Sequence, residues 1–405
     1  MGRYLLSDCS ILTPLQKLEH AFIEVEGPKI ASVIKREEYH KDKYPDSSYD
    51  RVFPIGGRTV CPGFIDIHNH GAMGINFSDL QGGSVEKAAL HFASGGTASF
   101  LLTPGPLPFK ENIENLGRIK KALEQPCPGA RAVGINMEGP YLNPKYGAQK
   151  KGTSQVPEKE EYEKIIKEAL PYLKVMTVAP ELPDAMGVLR TLSRNDVIAS
   201  IGHTEASGPQ IELAVREGAR LITHIFNAMG QPVQKEGGVK PVGTEDHLII
   251  NDSLMAEVMA DRNAAHVDPV HLKILVRVKG IDNIILITDS LFPAGLQEGL
   301  HEGSDGRRIV VYKNDVNRLE ENGFLAGSVM SMNMAVKNMI NHTGIGLIDA
   351  VRMATANPAR LLGIDGRKGS IKEGMDADIT VIDDDINVIL TIVEGRIAYD
   401  GGTLK

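Results

Sequence analysis

Apolar positions along the chain follow two regimes. Near the ends they alternate with polar ones in short β-branched runs. Ala21-Phe22-Ile23-Glu24-Val25 and Lys29-Ile30-Ala31-Ser32-Val33-Ile34 are examples, parted by the turn residues Gly27-Pro28. Period-two alternation turns one face of a strand to a core. The C-terminal end repeats the style in Asp378-Ile379-Thr380-Val381-Ile382 and Val388-Ile389-Leu390-Thr391-Ile392-Val393, with a hairpin predicted around Glu394-Gly395. Two β-rich ends around a long middle predict one small β-sandwich domain built from both termini, residues 1–60 and 361–405.

Between them, apolar strands alternate with amphipathic helical stretches. Strands are predicted at 60–67, 97–102, 132–137, 175–178, 197–201, 221–223, 255–259 and 284–287, with helices such as 158–170, 210–217 and 270–278 between them. Strand–helix alternation implies parallel pairing. Eight such units imply closure, so the α/β fold class expected for residues 61–360 is a (β/α)8 TIM-like barrel. An open doubly wound sheet would carry a Gly-rich phosphate loop after an early strand, and neither G-x-G-x-x-G nor a Walker A sequence is present.

Composition narrows the function. The chain has 405 residues, 42% hydrophobic and 24% charged, enough for a barrel and an accessory domain. A formal net charge of -8 argues against nucleic-acid or anionic-membrane partners, while a local cationic pocket for a small anion remains compatible with it. Cys9, Cys61 and Cys127 are scattered and form no C-x-x-C pair, which reads as three small buried side chains in a reducing, cytoplasmic setting. No apolar run approaches transmembrane length and no signal-peptide pattern opens the chain, so a soluble, non-exported protein is expected.

The candidate chemistry lies just after the predicted strands. His68-Asn69-His70 follows the first, Glu138 the third, His203 the fifth, His224 the sixth and Asp289 the eighth. Strand C-termini converge on one mouth of a barrel. Any one of these residues has an ordinary structural explanation, a hydrogen-bonded His or an Asp N-cap; their joint occurrence points to a site. His-x-His on a strand puts both imidazoles on one face. Imidazole and carboxylate together suit zinc or another borderline divalent metal. A nucleophilic serine would need an elbow such as G-x-S-x-G, which is missing, and Ser328 in Ala326-Gly327-Ser328 has no evident base.

The segment Pro62-Gly63-Phe64-Ile65-Asp66-Ile67-His68-Asn69-His70-Gly71 resembles the signature of the amidohydrolase superfamily. Met137-Glu138-Gly139-Pro140-Tyr141-Leu142-Asn143-Pro144, Gly202-His203-Thr204, Thr223-His224-Ile225-Phe226-Asn227-Ala228-Met229 and Thr288-Asp289 are similar to the N-acetylglucosamine-6-phosphate deacetylases within it. The stretches Ala354-Thr355-Ala356-Asn357-Pro358-Ala359 and 369–378 are shared more widely across the superfamily. The resemblance implies that Glu138, His203 and His224 hold one divalent metal. It implies further that His68 and His70 add a second with Glu138 bridging, and that Asp289, also near the metal, is the proton shuttle. Zinc is the expected ion, with iron, manganese or cobalt as alternatives. Dihydroorotase-type members use a carboxylated Lys after the fourth strand; here Ala179-Pro180-Glu181 stands there, and Lys174 lies at the opposite mouth.

Two positions depart from the pattern. Gly147-Ala148-Gln149 stands where the family usually has a His after a small residue, and Lys235-Glu236-Gly237-Gly238 where it usually has Arg-Glu-Pro-Gly. Gln149 keeps the ability to donate a hydrogen bond, and Lys235 keeps charge without the planar grip of Arg. The resemblance also implies that Asn227, Ala228 and His266 face the substrate, and that the working unit is a homodimer in which Lys235 reaches a neighbouring pocket. The expected activity is deacetylation of an amino-sugar 6-phosphate. The alternatives are another acylated amino sugar, such as N-acetylgalactosamine 6-phosphate, a cyclic amide, or a binding protein without catalysis.

Overall fold

The computed structural model describes residues 2–13, 16–80, 82, 84–232, 236–312 and 316–402. Eight strands pair in parallel, in chain order, as one sheet: β1 (Phe64–Asp66), β2 (Thr97–Leu102), β3 (Arg131–Glu138), β4 (Leu173–Val178), β5 (Ile198–Ile201), β6 (Ala219–Ile222), β7 (Met255–Val258) and β8 (Ile284–Leu286). Helices α1 (Glu86–Ser94), α2 (Phe109–Glu124), α3 (Lys159–Ala169), α4 (Ala185–Arg194), α5 (Gly208–Arg216), α6 (Thr244–Ile249) and α7 (Pro269–Lys279) fall between successive strands.

The strands are buried on both faces, as their near-continuous apolar runs require. Phe100 and Leu102 of β2 pack outward with Leu116 of α2 and Ile165 of α3, while Leu101 belongs to a second cluster with Ile65, Val175, Leu221 and Ile285. The two ends of the sheet meet. Asp289 N–H donates to the His68 carbonyl at 2.9 Å, His70 N–H to the Ser290 carbonyl at 2.7 Å, and the Thr288 hydroxyl to Asp66 at 2.6 Å. The segments after β1 and β8 are thereby stitched together at the strands' C-terminal ends.

The chain termini share a second sheet. Its order is Arg396–Asp400, Val388–Val393, Ile379–Ile382, Thr59–Pro62, Arg3–Leu12, Lys17–Glu26, Lys29–Ile34, with Arg51–Pro54 parallel to the first strand of the chain. N- and C-terminal parts join where Thr59–Pro62 runs antiparallel to Ile379–Ile382. Glu394 and Gly395 form the hairpin turn with φ of 47° and 72°, the left-handed pair that a two-residue hairpin favours. A Cβ on Gly395 would lie 1.7 Å from the Gly27 carbonyl oxygen, so no larger residue fits.

Two expectations change. The run at 60–67 is two strands: Thr59–Pro62 belongs to the terminal sheet and Phe64–Asp66 is β1, the chain changing partners at Gly63. A continuous apolar run carries no mark of where one sheet hands over to another. The stretch after β8, taken as part of the barrel without strands of its own, holds a four-stranded antiparallel sheet: Gly299–Glu302, Arg308–Tyr312, Val316–Leu319 and Leu325–Ser328. Its inner residues Ile309, Leu319 and Ala326 pack on Leu291 and Phe292, and strands of four or five residues are too short to show a clear period. No helix among the described residues is long and apolar enough to cross a membrane.

Candidate metal centre and cavity

The C-terminal ends of the strands and the segments just beyond them bring six imidazole and carboxylate side chains to one place. Glu138 is the last residue of β3; His68, His203, His224 and Asp289 follow β1, β5, β6 and β8 within a few residues. These five and His70, on the loop after β1, are all buried. Glu138 divides its oxygens: Oε1 lies 2.9 Å from His203 Nε2 and 3.0 Å from His224 Nε2, and Oε2 lies 3.3 Å from His70 Nε2. Asp289 Oδ1 stands 3.2 Å from His70 Nε2 and 3.7 Å from His68 Nε2. One donor atom each from His68, Glu138 and His224 falls within a 4.8 Å group, and so does one each from His68, His70 and Asp289. The two His-x-His side chains do converge, but from the loop beyond β1, which ends at Asp66; the strand pleat is not the cause.

Three of the four imidazoles are oriented by what lies behind them. His70 Nδ1 donates to the Thr103 carbonyl at 2.9 Å, His203 Nδ1 to the Tyr146 carbonyl at 3.0 Å, and His68 Nδ1 to the Glu257 carboxylate at 2.9 Å. Those partners accept only, so each Nε2 lone pair points inward. There the lone pairs meet carboxylate oxygens and one another, with His203 Nε2 and His224 Nε2 3.0 Å apart. Such a set repels itself unless positive charge lies among it, and imidazole plus carboxylate donors fit a divalent metal of the zinc type.

Proton affinities respond to the same field. Burial pushes His70 down, but Asp289 and Glu138 outweigh it and lift the imidazole to about 9. Burial likewise opposes the charged form of Glu138, yet the surrounding histidines hold its carboxyl well below the usual range. Sites that draw protons so strongly bind cations in competition with them.

The backbone at this place is unusual. His203, His224 and Asp289 have φ of 48°, 25° and 47°, as do Phe226 and Ala228 at 75° and 55°. Left-handed conformations are uncommon for residues with a Cβ, and they gather at functional sites where surrounding structure imposes them.

Sequence reasoning missed Glu257. It is buried in the middle of β7, takes His68 Nδ1 on Oε2, and accepts the His224 backbone N–H on the same oxygen at 3.3 Å. The available signal was a carboxylate inside an otherwise apolar strand. Asp66 was missed too; burial raises it to about 6, against the hydrogen bonds from Thr288. Ser328 donates to the Thr288 carbonyl, consistent with a structural serine. Lys174 lies at the start of β4 with Nζ on the Pro171 carbonyl, away from this end of the strands.

A cavity of about 820 Å³ opens on the cluster, within the range of small-molecule sites. His70, Glu138, His203, His224 and Asp289 line it, together with Gln149, Asn227, Ala228 and His266. His266 is fixed by Asp261, whose Oδ2 receives Nδ1 at 3.1 Å, and its Nε2 has no partner among the described residues. Burial opposes the Asp261 anion, but the hydrogen bonds from His266 and Ala265 bring it to about 2. Gln149 has its Nε2 3.4 Å from the Asn143 carbonyl oxygen and 3.5 Å from Ser154 Oγ. Lys235 lies outside the described residues.

Residues 59–398 match the Amidohydrolase family. The chain is 32% identical over 400 residues to the N-acetylglucosamine-6-phosphate deacetylase of Bacillus subtilis (strain 168), covering 98% of this chain and 97% of that protein. It is 31% identical over 340 residues to the N-acetylgalactosamine-6-phosphate deacetylase of Escherichia coli O157:H7, 84% of this chain and 87% of the other. Among solved structures, N-acetylglucosamine-6-phosphate deacetylase from Pasteurella multocida aligns with a TM-score of 0.86 at 25% identity, covering 98% of this chain and 99% of that one. A variant of the Mycobacterium smegmatis enzyme in complex with N-acetyl-D-glucosamine-6-phosphate gives the same TM-score and identity over 98% of this chain and all of that one.

Proposed function

The chain belongs to the amidohydrolase family, and on that premise we propose that it hydrolyses the N-acetyl amide of an amino-sugar 6-phosphate, N-acetylglucosamine 6-phosphate first, to the free amine and acetate. The observation that carries this reading is the sharing of Glu138 between His203 and His224 on one oxygen and His70 on the other, with Asp289 beside His70 at 3.2 Å. A divalent ion held there supplies Lewis-acid polarisation of the amide carbonyl and a water of lowered pKa. Asp289 takes the proton of the attacking water and passes it to the leaving nitrogen. Glu257, Thr103 and Tyr146 keep His68, His70 and His203 aimed. His266, Asn227 and Ala228 bind the sugar phosphate, and Asp261 orients His266.

We assign two metal ions per chain, zinc by preference. Elemental analysis after loading with zinc, manganese, iron or cobalt should return close to two, and His68→Ala should return close to one; one ion in both proteins sinks the two-metal assignment. The bonds between the segments after β1 and β8 support a closed barrel over residues 61–360, and the terminal sheet supports a β-sandwich from residues 1–60 and 361–405. The free thiols of Cys9, Cys61 and Cys127 support a cytoplasmic setting. A homodimer is supported by an exposed apolar stripe on α7, Val270, Ile274 and Val278, near exposed Ile250 after α6. That Lys235 reaches the neighbouring pocket is what the family resemblance implies.

The two named relatives act on epimeric sugars at nearly equal identity, 32% and 31%, so identity does not choose between them. The deciding experiment is a panel of metal-loaded protein against N-acetylglucosamine and N-acetylgalactosamine 6-phosphates, their unphosphorylated forms, and cyclic amides, scored by acetate and amine release. Turnover of cyclic amides alone moves the assignment to another branch of the family. No turnover on any compound leaves a binding protein.

A further inference from the structure

Glu181 follows β4 at the same end of the strands as the cluster. It does not line the cavity, and it belongs to neither metal-binding group found among the described residues. Its oxygens are turned instead to the loops on either side. Oε1 accepts the Asn143 carboxamide N–H and the Glu205 backbone N–H, both at 2.8 Å, and Oε2 accepts the Thr204 hydroxyl. Asn143 belongs to the loop after β3, and Thr204 and Glu205 to the loop after β5. Asn143 and Thr204 are buried.

The same two loops meet at His203. Asn143 N–H donates to the His203 carbonyl at 3.0 Å, and three residues further on the Tyr146 carbonyl takes His203 Nδ1 at 3.0 Å. Thr204 follows His203 directly, and its own N–H is tied to the Ala228 carbonyl at 3.2 Å. The imidazole is thus carried by one loop and aimed by a carbonyl on the other. His203 also has a left-handed backbone, φ 48°, which must be held from outside. A further clasp between these loops, Lys145 and the Tyr146 hydroxyl on Glu205, is exposed, and exposed pairs hold less firmly.

We propose that Glu181 is a positioning residue, which clamps the loop after β3 to the loop after β5 and thereby aims His203 at the metal. This rests on the metal-centre reading above. Hydrogen bonds to an anion are stronger than neutral ones, and three of them converge here on one side chain. With both loops fixed, the Tyr146 carbonyl stands where His203 Nδ1 needs it. Outer partners that orient an imidazole in this way raise its affinity for metal. The role is geometric. In Glu181→Gln the carboxamide oxygen still accepts from Asn143 and Glu205, and its NH2 faces the Thr204 hydroxyl, which can accept in turn.

The test measures cobalt(II) affinity by competition with a chromogenic chelator, and the visible absorption of the cobalt-loaded protein, in wild type, Glu181→Ala, Glu181→Gln and Thr204→Val. Urea denaturation of each metal-free protein records general stability separately. Glu181→Ala should lower affinity by roughly 10- to 100-fold and alter the absorption, which follows coordination geometry. Glu181→Gln should stay close to wild type in both. Thr204→Val, which removes one donor and keeps the carboxylate, should shift both in the direction of Glu181→Ala by less, and it carries the test if Glu181→Ala does not fold. Unchanged affinity and absorption in Glu181→Ala and Thr204→Val, whatever happens to stability, overturn the assignment of Glu181 alone. Equal losses in Glu181→Ala and Glu181→Gln overturn it as well, since charge and not geometry would then be acting. A wild type that binds no cobalt overturns the metal-centre reading and this inference with it.

Discussion

At the scale of residues, the cluster works through side chains that never touch substrate as much as through those that do. Glu257 stands behind the cluster, where its Oε2 takes His68 Nδ1 and the His224 backbone N–H. Replacing it with Gln keeps the shape and weakens the acceptor. Glu257→Gln should therefore lower metal affinity by roughly 10- to 100-fold, read by competition with a chromogenic chelator; unchanged affinity would show that His68 is oriented by packing. Asp289 makes the opposite kind of contribution. Asp289→Asn preserves volume and loses the capacity to carry a proton near neutral pH, so turnover should fall by roughly 10²–10⁴-fold. Steady-state kinetics on the preferred substrate, with metal content measured alongside, decides this: near-normal kcat would assign the proton shuttle elsewhere.

At the scale of elements, the strands set where the cluster lies and their outer faces set how firmly. Phe100 of β2 is fully buried and packs against Phe92 of α1 at 5.0 Å and Phe77 at 6.1 Å between ring centroids. It joins a strand, a helix and the loop after β1, which is the loop that carries His68 and His70. Removing the ring takes away apolar burial and leaves a cavity that close-packed neighbours fill poorly. Phe100→Ala should cost about 3–5 kcal/mol of unfolding free energy, measured by urea denaturation. A loss below about 1 kcal/mol would mean that the loop repacks, and the β1 end of the site is softer than its burial suggests.

At the scale of the whole molecule, stability depends on pH through groups remote from the metal centre. Lys279, at the end of α7, is buried with Nζ on the Asn251 and Leu254 carbonyls, and burial brings its pKa down to about 8. Between about pH 8 and the ordinary lysine value near 10.4, the unfolded chain holds the proton that the folded one has released. Stability from this group therefore rises with pH across that window, is complete above it and is lost below it. Cys61, raised to about 12 by burial, pulls in the other direction once unfolded thiols ionise. The difference between wild type and Lys279→Met thus carries the test. Wild type should gain on the variant from pH 8 to pH 10 in chemical denaturation, and a flat difference would place Lys279 in contact with solvent.

Much of this protein is written locally. The periods of apolar residues mark the strands and helices between 97 and 287 to within a few residues, because burial on one or both faces must repeat with the geometry of each element. The terminal β segments and the hairpin at Glu394-Gly395 are legible for the same reason. The positions of His68, His70, Glu138, His203, His224 and Asp289, which the fold brings together, can be read locally as well, since each lies at or just beyond the C-terminal end of a strand. What the tertiary structure decided is everything that depends on distance. Glu257 becomes a partner of His68 only when β7 stands across from the loop after β1. The left-handed backbone at His203, His224 and Asp289 is imposed by neighbours. The change of sheet at Gly63 is invisible in an unbroken apolar run, and the four strands after β8 are only four or five residues long. Gln149 offers a carboxamide nitrogen and oxygen in sequence; only the fold brings the nitrogen to 3.4 Å from the Asn143 carbonyl and buries the oxygen. A sequence specifies which groups a residue offers, but which of them remain open is settled by the atoms that fold against it.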